Sequence, residues 1–326
     1  MPRPRRRRTS VALLTVVLTS AADPASATLA WSDARTGGIM VAADDGSRPR
    51  LVGRGSGVVV SRDGSTIAYA AGELGRPQTE TYVVGGGGTV APELRATGSV
   101  PLAFTPDGLQ LIVNRVTRTG RGKGMAAVPV AGGPPVALTS RSGSVAGFGA
   151  PGTVTVAIDR PDSPLARVVE LSLRDGGLVR TRLAGARIFD FGAAFGPGGR
   201  LAYVLAPSQE PFRVRVTGAR ASTVPPSTDA DVLIQSPIAW SADGRHLLIA
   251  EQGVGDNDNA AAIFDARTGR RRVLAEGLTA VYGLSKDGRR VLAGRGGEVD
   301  RVVSIPVAGG PSRDLARHAI GAAWSR

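Results

Sequence analysis

The chain has 326 residues and no cysteine, which excludes disulfides, thiolate metal sites, a cysteine nucleophile and a cysteine-linked lipid anchor. Its 45 glycines and 22 prolines, with aromatic residues at only 4%, favour many tight turns over long helices. The formal net charge of +13 favours anionic partners.

The N-terminal residues have the three parts of a secretory signal. Arginines at positions 3 and 5–8 precede an apolar run at 11–22 and Ala25-Ser26-Ala27, a pattern that a signal peptidase accepts. The apolar run is about 12 residues long, shorter than the roughly 20 that a bilayer span needs. We predict that residues 1–27 are a cleaved signal peptide, with an uncleaved anchor as the alternative. The protein is then secreted, or lies in the periplasm or cell envelope, with no membrane span.

Cleavage also changes the charge. Losing five arginines and Asp23 lowers the net charge from +13 to +9. A basic exported chain favours an anionic polymer, or an envelope or extracellular protein or peptide, and nucleic acid is not an expected partner. Arg7-Arg8 matches a twin-arginine signal only loosely, so the export route stays open.

Residues 28–326 carry one repeated pattern: an apolar or aromatic residue and a small residue precede Asp-Gly and a β-rich run. Full copies lie at 60–64, 104–108, 240–244 and 284–288, and degenerate copies at 148–152 and 195–199. The lead residues of these copies and Trp324 are spaced by about 44 residues, the period of a four-stranded propeller blade. The second half of each unit is a strand, a glycine turn and another strand.

The two ends of the repeat region predict how the ring closes. Thr28-Leu29-Ala30-Trp31 aligns with Thr66-Ile67-Ala68-Tyr69, the second strand of a unit, whereas 320–325 reads as a first strand without a partner. Completing one blade from both ends hides two strand edges. We therefore predict an all-β propeller of seven four-stranded blades, forming a single domain at 28–326. Six blades is the alternative, because the two middle copies are degenerate.

The copies at 240–249 and 104–113 resemble the TolB-like (WD-like) propeller repeat, which runs aromatic-Ser-Pro-Asp-Gly into a strand. The resemblance covers nearly all of residues 28–326. It implies a propeller fold and a binding or docking role, since such propellers mostly act as binding modules. Named members of the family are usually six-bladed, so a count of seven departs from it.

Motifs for catalysis are few. The sequence 147–152 matches G-x-G-x-x-G, but it falls on a blade turn with no helical pattern after it, so we interpret it as structural. No nucleophile elbow or P-loop occurs, and His246 and His318 are far apart in the sequence. The turn aspartates, among them Asp63 and Asp243, are interpreted as backbone caps. We predict no catalytic residue.

Two loops between second and third strands offer candidate sites on one face of the ring. A basic loop can hold phosphate or carboxylate groups through Arg115, Arg118, Arg121 and Lys123. An acidic loop places Asp256 and Asp258 as oxygen ligands for Ca²⁺, although the EF-hand spacing is missing. The alternative for both loops is a solvated surface, and otherwise no cofactor is predicted.

The leading functional hypothesis is an exported, non-catalytic binding or scaffold propeller of the cell envelope or exterior. It would be a monomer that recognises a protein, peptide or anionic ligand through its long-loop face. The alternative is a hydrolase or lyase with its active site at the central funnel and a dependence on Ca²⁺. A third hypothesis is a propeller that supports a larger envelope complex.

Overall fold

The computed structural model describes residues 28–73, 76–87, 90–116, 122–160, 163–184, 188–205, 212–219, 223–227, 232, 234–253, 259–297 and 299–325. These residues form β-strands and one short 3-10 turn at Pro197–Gly199. None of them belongs to a helix long and apolar enough to cross a membrane. The signal peptide predicted at 1–27 lies outside them.

The strands follow the predicted repeat, and we number both strands and blades in chain order. The first four blades contain β1 (Thr28–Asp33), β2 (Gly38–Ala43) and β3 (Arg50–Arg54); β4 (Ser56–Val60), β5 (Thr66–Ala71), β6 (Glu80–Gly85) and β7 (Glu93–Thr97); β8 (Ser99–Phe104), β9 (Gln110–Val116), β10 (Gly122–Pro129) and β11 (Val136–Thr139); and β12 (Gly143–Gly147), β13 (Thr153–Arg160), β14 (Ser163–Ser172) and β15 (Leu178–Leu183).

The remaining strands complete seven blades. They are β16 (Ile188–Phe195), β17 (Leu201–Leu205) and β18 (Arg213–Val216) in blade 5; β19 (Ile234–Trp240), β20 (His246–Gln252), β21 (Asn259–Asp265) and β22 (Arg270–Leu278) in blade 6; β23 (Ala280–Leu284), β24 (Arg290–Arg295), β25 (Arg301–Pro306) and β26 (Arg313–Arg317) in blade 7; and β27 (Ala319–Trp324), which returns to blade 1.

The ring closes as predicted. In blade 1 the sheet order is β27-β1-β2-β3, so β27 takes the first-strand position, antiparallel to β1. Leu29 lies opposite Trp324 and Ala30 opposite Ala323. The seven first strands (β27, β4, β8, β12, β16, β19 and β23) contact one another in that circular order. Seven blades are therefore correct and the six-blade alternative is wrong.

Blade 5 departs from the four-stranded pattern. Its sheet contains only β16, β17 and β18. Where a fourth strand would lie, the described residues show a single antiparallel bridge between Arg215 and Thr223, extended by the hydrogen bond from Val224 N to Val214 O at 2.9 Å. This blade also carries one of the two degenerate turns, at Pro197–Gly199.

The core is divided among the blades rather than gathered at one centre. Seven apolar clusters each join two neighbouring blades, one for every junction around the ring. At the junction of blades 7 and 1, for example, Trp324, Leu29 and Leu292 share one cluster. Because successive side chains of a strand point to opposite faces, each blade contributes to two clusters.

The Asp-Gly turns are capped as the sequence predicted. In blade 2 the carboxylate of Asp63 accepts hydrogen bonds from Ser61 Oγ at 2.6 Å and Ser65 N at 3.0 Å, and Ser61 Oγ accepts from Thr66 N at 2.9 Å. The same network recurs at Asp107, Asp243 and Asp287. In all four, the Ser or Thr hydroxyl hydrogen bond is the main cause that lowers the pKa of the carboxyl group.

Antiparallel order defines the two faces of the ring. The turns from first to second and from third to fourth strands lie on one face, which we call the tight-turn face. The connections from second to third strands, and from each blade to the next, lie on the opposite long-loop face. The strands that flank the basic loop, β9 and β10, and those that flank the acidic loop, β20 and β21, have their connected ends on the long-loop face.

Candidate functional site

The structure places two of the six predicted site residues. Arg115 lies near the long-loop end of β9, paired with Gly124 of β10, and Lys123 lies beside that pair at a register shift. The two cations are therefore neighbours on adjacent strands. Arg118 and Arg121, from the same loop, lie outside the described residues, as do the proposed metal ligands Asp256 and Asp258.

Arg115 lines a cleft of about 390 Å³ between blades 2 and 3. The floor is apolar, because Val113, Ala126 and Val128 of blade 3 are almost completely buried there. The other wall is β7, and Thr97 and Ser99 lie with Arg115 at the long-loop end. An amphipathic group fits such a lining: its apolar part meets the floor and its polar part meets the rim.

The two arginines of this cleft differ in what they bind. Arg95 Nε donates to the Val130 carbonyl oxygen at 2.7 Å, and the guanidinium also pairs with Glu93. The Arg115 side chain, by contrast, makes no hydrogen bond or ion pair with any residue that the structure describes. A partly buried guanidinium keeps five donors in a planar fork, which suits an incoming carboxylate or phosphate.

The Arg95 contact belongs to a recurring bridge between blades that sequence reasoning missed. Arginines on fourth strands donate to carbonyl oxygens that follow the third strand of the next blade. The pairs are Arg50 with Gly86, Arg95 with Val130, and Arg272 with Val307. Part of the arginine excess is therefore structural. The spacing of 35 or 36 residues within each pair is a signal that could have found it.

The two most buried carboxylates are committed to ion pairs. Glu251 is 1% exposed, accepts from Gln235 Nε2 at 2.8 Å and pairs with the Arg271 guanidinium. Glu170 pairs with Arg182 at 2.6 Å. Burial alone would raise the pKa of Glu170, but hydrogen bonds from Thr153 and Arg182 outweigh it and lower the pKa. Each carboxylate is therefore held by an arginine of its own blade.

Clusters of metal-ligating side chains are absent from the part of the chain that the structure describes. There, no three His, Asp or Glu side chains come together in a group that could hold a metal ion. His246 begins β20, and His318 lies in the link between β26 and β27. The two histidines therefore belong to different blades.

Comparison with solved structures identifies the fold. TolB from Acinetobacter baumannii superposes with a TM-score of 0.51 at 16% identity, covering 93% of this chain and 67% of that one. The fold is that of a TolB-like β-propeller. The propeller domain of the Trilobed protease from Pyrococcus furiosus gives a TM-score of 0.60 at 12% identity, covering 85% and 86% of the two chains. That propeller has an open velcro topology, whereas β27 closes the ring here.

The likeness extends to an enzyme of the same architecture. Oligogalacturonate lyase in complex with manganese gives a TM-score of 0.56 at 15% identity, covering 90% of this chain and 85% of that one. No protein-family model matches the chain, and its sequence matches no curated protein. Identities this low establish the fold alone, and the fold accommodates both binding proteins and enzymes.

Proposed function

We propose that this chain is an exported, non-catalytic binding protein of the cell envelope or exterior, whose long-loop face recognises an anionic group on a protein, peptide or polymer. The observation that carries the proposal is Arg115, a guanidinium without a described partner at the rim of the cleft between blades 2 and 3. Lys123 on the adjacent strand adds a second positive charge.

The chemistry of the ligand follows from these groups. A guanidinium binds carboxylate or phosphate oxygens through two parallel N–H donors, and such charge-assisted bonds are about twice as strong as neutral ones. The apolar floor favours an anion that carries a hydrophobic group. An acidic polymer or an acidic protein segment with apolar neighbours meets both conditions, and the basic chain would attract it over a distance.

The binding role is tested with a matched pair of variants in the neighbouring blades 2 and 3. Fluorescent poly-L-glutamate is titrated against the parent, Arg115→Gln, and the control Arg62→Gln. Arg62 is an exposed arginine of blade 2 on the tight-turn face, so its loss removes the same charge. Arg115→Gln should weaken binding about tenfold and Arg62→Gln less than twofold. If Arg62→Gln alone weakened binding, the assignment of the binding face would be wrong.

The non-catalytic and exported parts need separate tests. A hydrolase or lyase at the central funnel is the alternative function, because solved structures with this fold include peptidases and a lyase. The protein is assayed against a panel of peptide, ester and polyuronate substrates, with and without Ca²⁺. If it turned over any of them, the enzyme would be the correct function and the non-catalytic proposal would be wrong. For export, the protein should be recovered outside the cytoplasm with Thr28 as its first residue. If the protein were recovered in the membrane fraction with residues 1–27 still present, the N-terminal segment would be an uncleaved anchor.

A further inference from the structure

A second cleft, of about 430 Å³, lies on the tight-turn face of the ring, between blades 6 and 7. We call it the blade 6–7 cleft. Its lining includes His246, Asp265, Arg270 and Arg272, with Ile263 and Val307 as apolar groups. Neither the long-loop face nor the cleft that contains Arg115 contributes to it, so a function here is independent of the proposed one.

Strand register shows which side chains share this cleft. His246, Asp265 and Arg270 lie directly opposite one another across β20, β21 and β22, and so do Leu248, Ile263 and Arg272. Residues that are directly opposite in a sheet project to the same face, and these two rows are two residues apart. His246, Arg270 and Arg272 therefore share one face of blade 6, around Ile263.

The intervening residue, Arg271, also lines the cleft, but its register opposite Phe264 places its side chain on the other face of the blade. Its guanidinium pairs there with Glu251, which is 1% exposed, and donates to Ser227 Oγ at 3.1 Å. Its charge is therefore neutralised inside the protein. The cations available to the blade 6–7 cleft come from the alternate positions 270 and 272.

The one acidic residue of the cleft is already neutralised. Asp265 Oδ2 accepts two hydrogen bonds from the Arg245 guanidinium, at 3.0 and 2.9 Å. Asp265 Oδ1 accepts from the backbone N–H groups of Arg267 and Thr268, at 2.8 and 3.0 Å. With both oxygens occupied, the carboxylate is not free to pair with the cations of the cleft.

The donors of the cleft, in contrast, are largely unused. Arg272 donates one N–H to the Val307 carbonyl oxygen, and this hydrogen bond holds the guanidinium against blade 7. The side chains of Arg270 and His246 make no hydrogen bond or ion pair with the described residues. Two guanidinium groups and an imidazole thus lie along an apolar floor. His246 interacts electrostatically with Asp243, whose carboxylate also accepts from Ser241 Oγ and Arg245 N. The guanidinium groups of Arg270 and Arg272 have no carboxylate partner among the described residues.

We infer that the blade 6–7 cleft binds a phosphate group attached to an apolar body. Three donor side chains along one face of blade 6 can reach different oxygens of a tetrahedral anion, which offers three free oxygens where a carboxylate offers two, and arginine forks match phosphate geometry. Ile263 and Val307 accommodate the apolar part. A volume of about 430 Å³ falls within the range of small-ligand sites, which admits an aromatic ring or a short acyl chain but no folded partner.

Two sources share this chemistry, a soluble phosphate ester and the headgroup of an anionic lipid. Phenyl phosphate is therefore titrated by calorimetry, and vesicles of phosphatidic acid in phosphatidylcholine are tested by co-sedimentation. Inorganic phosphate serves as the probe without an apolar body. Benzoate serves as the probe whose anion is planar and not tetrahedral. Binding of phenyl phosphate alone identifies a soluble ester, and binding of vesicles alone identifies a headgroup.

The decisive variant is Arg270→Gln, compared with Arg267→Gln on the adjacent turn, which removes the same charge outside the cleft lining. Arg270→Gln should weaken binding of the responding probe about tenfold, while Arg267→Gln should change it less than twofold. Both arginine side chains lack described partners, so both variants should keep the parent melting temperature. Equal effects of the two variants, equal affinity for inorganic phosphate, or no binding of phenyl phosphate or vesicles would overturn the inference.

Discussion

Removing the last strand, residues 319–326, should open the ring and destabilise the whole propeller. β27 is the first strand of blade 1, and without it β1 loses the partner on one of its edges. Trp324, which is 6% exposed, packs with Leu29, Trp31 and Leu292 at the junction of blades 7 and 1. The Arg290 guanidinium also lies 5.2 Å from the centroid of the Trp324 ring.

The size of the effect follows from these contacts. Removing a buried tryptophan side chain costs about 3–5 kcal/mol, and each lost strand hydrogen bond costs about 1 kcal/mol more. The total therefore exceeds about 5 kcal/mol, which is comparable to the roughly 5–15 kcal/mol that stabilises a whole domain. The shortened chain should have no cooperative unfolding transition above room temperature, or one at a much lower temperature.

Thermal unfolding followed by circular dichroism measures this effect. Ile320→Ala is the matched control, because Ile320 lies on the same strand but is 48% exposed, and it should change the free energy of unfolding by less than about 0.5 kcal/mol. A shortened chain that melted within two degrees of the parent would refute closure by β27. An Ile320→Ala variant as unstable as the deletion would contradict the small contribution expected of an exposed side chain on β27.

Three further predictions concern single side chains. Gly176 and Gly152 both have positive φ, at 73° and 76°, but a Cβ at Gly176 would overlap a backbone carbonyl oxygen of blade 3, whereas Gly152 has open space. Gly152→Ala should therefore cost about 1 kcal/mol and Gly176→Ala about 2 kcal/mol more. Trp240 Nε1 donates to Ala194 O at 3.0 Å, whereas Trp324 Nε1 has no described partner. Trp240→Phe should thus cost about 1 kcal/mol more than Trp324→Phe. Asp265→Asn should lower the melting temperature at pH 7, and the difference from the parent should narrow as the pH falls toward 2.

The pH prediction rests on the direction of the Asp265 shift. Burial would raise its pKa, but hydrogen bonds from Thr268, Arg245 and Arg267 outweigh burial and lower the pKa to about 2. A carboxyl group with a depressed pKa stabilises the fold fully above its unfolded value of about 3.9, and the effect is lost as the pH falls through the folded value. A difference in melting temperature that stayed constant from pH 7 to pH 2 would contradict this.

Melting curves or urea titrations measure the free energy of unfolding of the glycine and tryptophan variants, and one result in each pair would contradict the prediction. Equal destabilisation by Gly176→Ala and Gly152→Ala would show that the junction of blades 3 and 4 can move aside. An equal or larger cost for Trp324→Phe would mean that the Trp240 hydrogen bond adds nothing to stability.

The sequence alone predicts the cations of the candidate site but not its apolar floor. Arg115 and Lys123 stood out in the sequence because a run of cations is visible in a local window. The apolar floor beneath Arg115 was not visible, since Val113 and Val128 look like ordinary strand residues. Similarly, His246 and Arg270 are 24 positions apart in the chain. Only the pairing of β20, β21 and β22 brings them to one face.

Local sequence by itself determined the repeat, the turn chemistry and the closure of the ring. Asp-Gly needs only its nearest neighbours to form a capped turn, and a period of about 44 residues is countable without coordinates. Tertiary structure decided the rest, as blade 4 illustrates. Its degenerate turn has Gly149 where blades 2, 3, 6 and 7 have Ser or Thr, and Glu170 Oε1 from the third strand lies 2.7 Å from where a Gly149 Cβ would stand. A distant carboxylate thus reaches the place of the missing local cap, because packing depends on proximity in space and not on order along the chain.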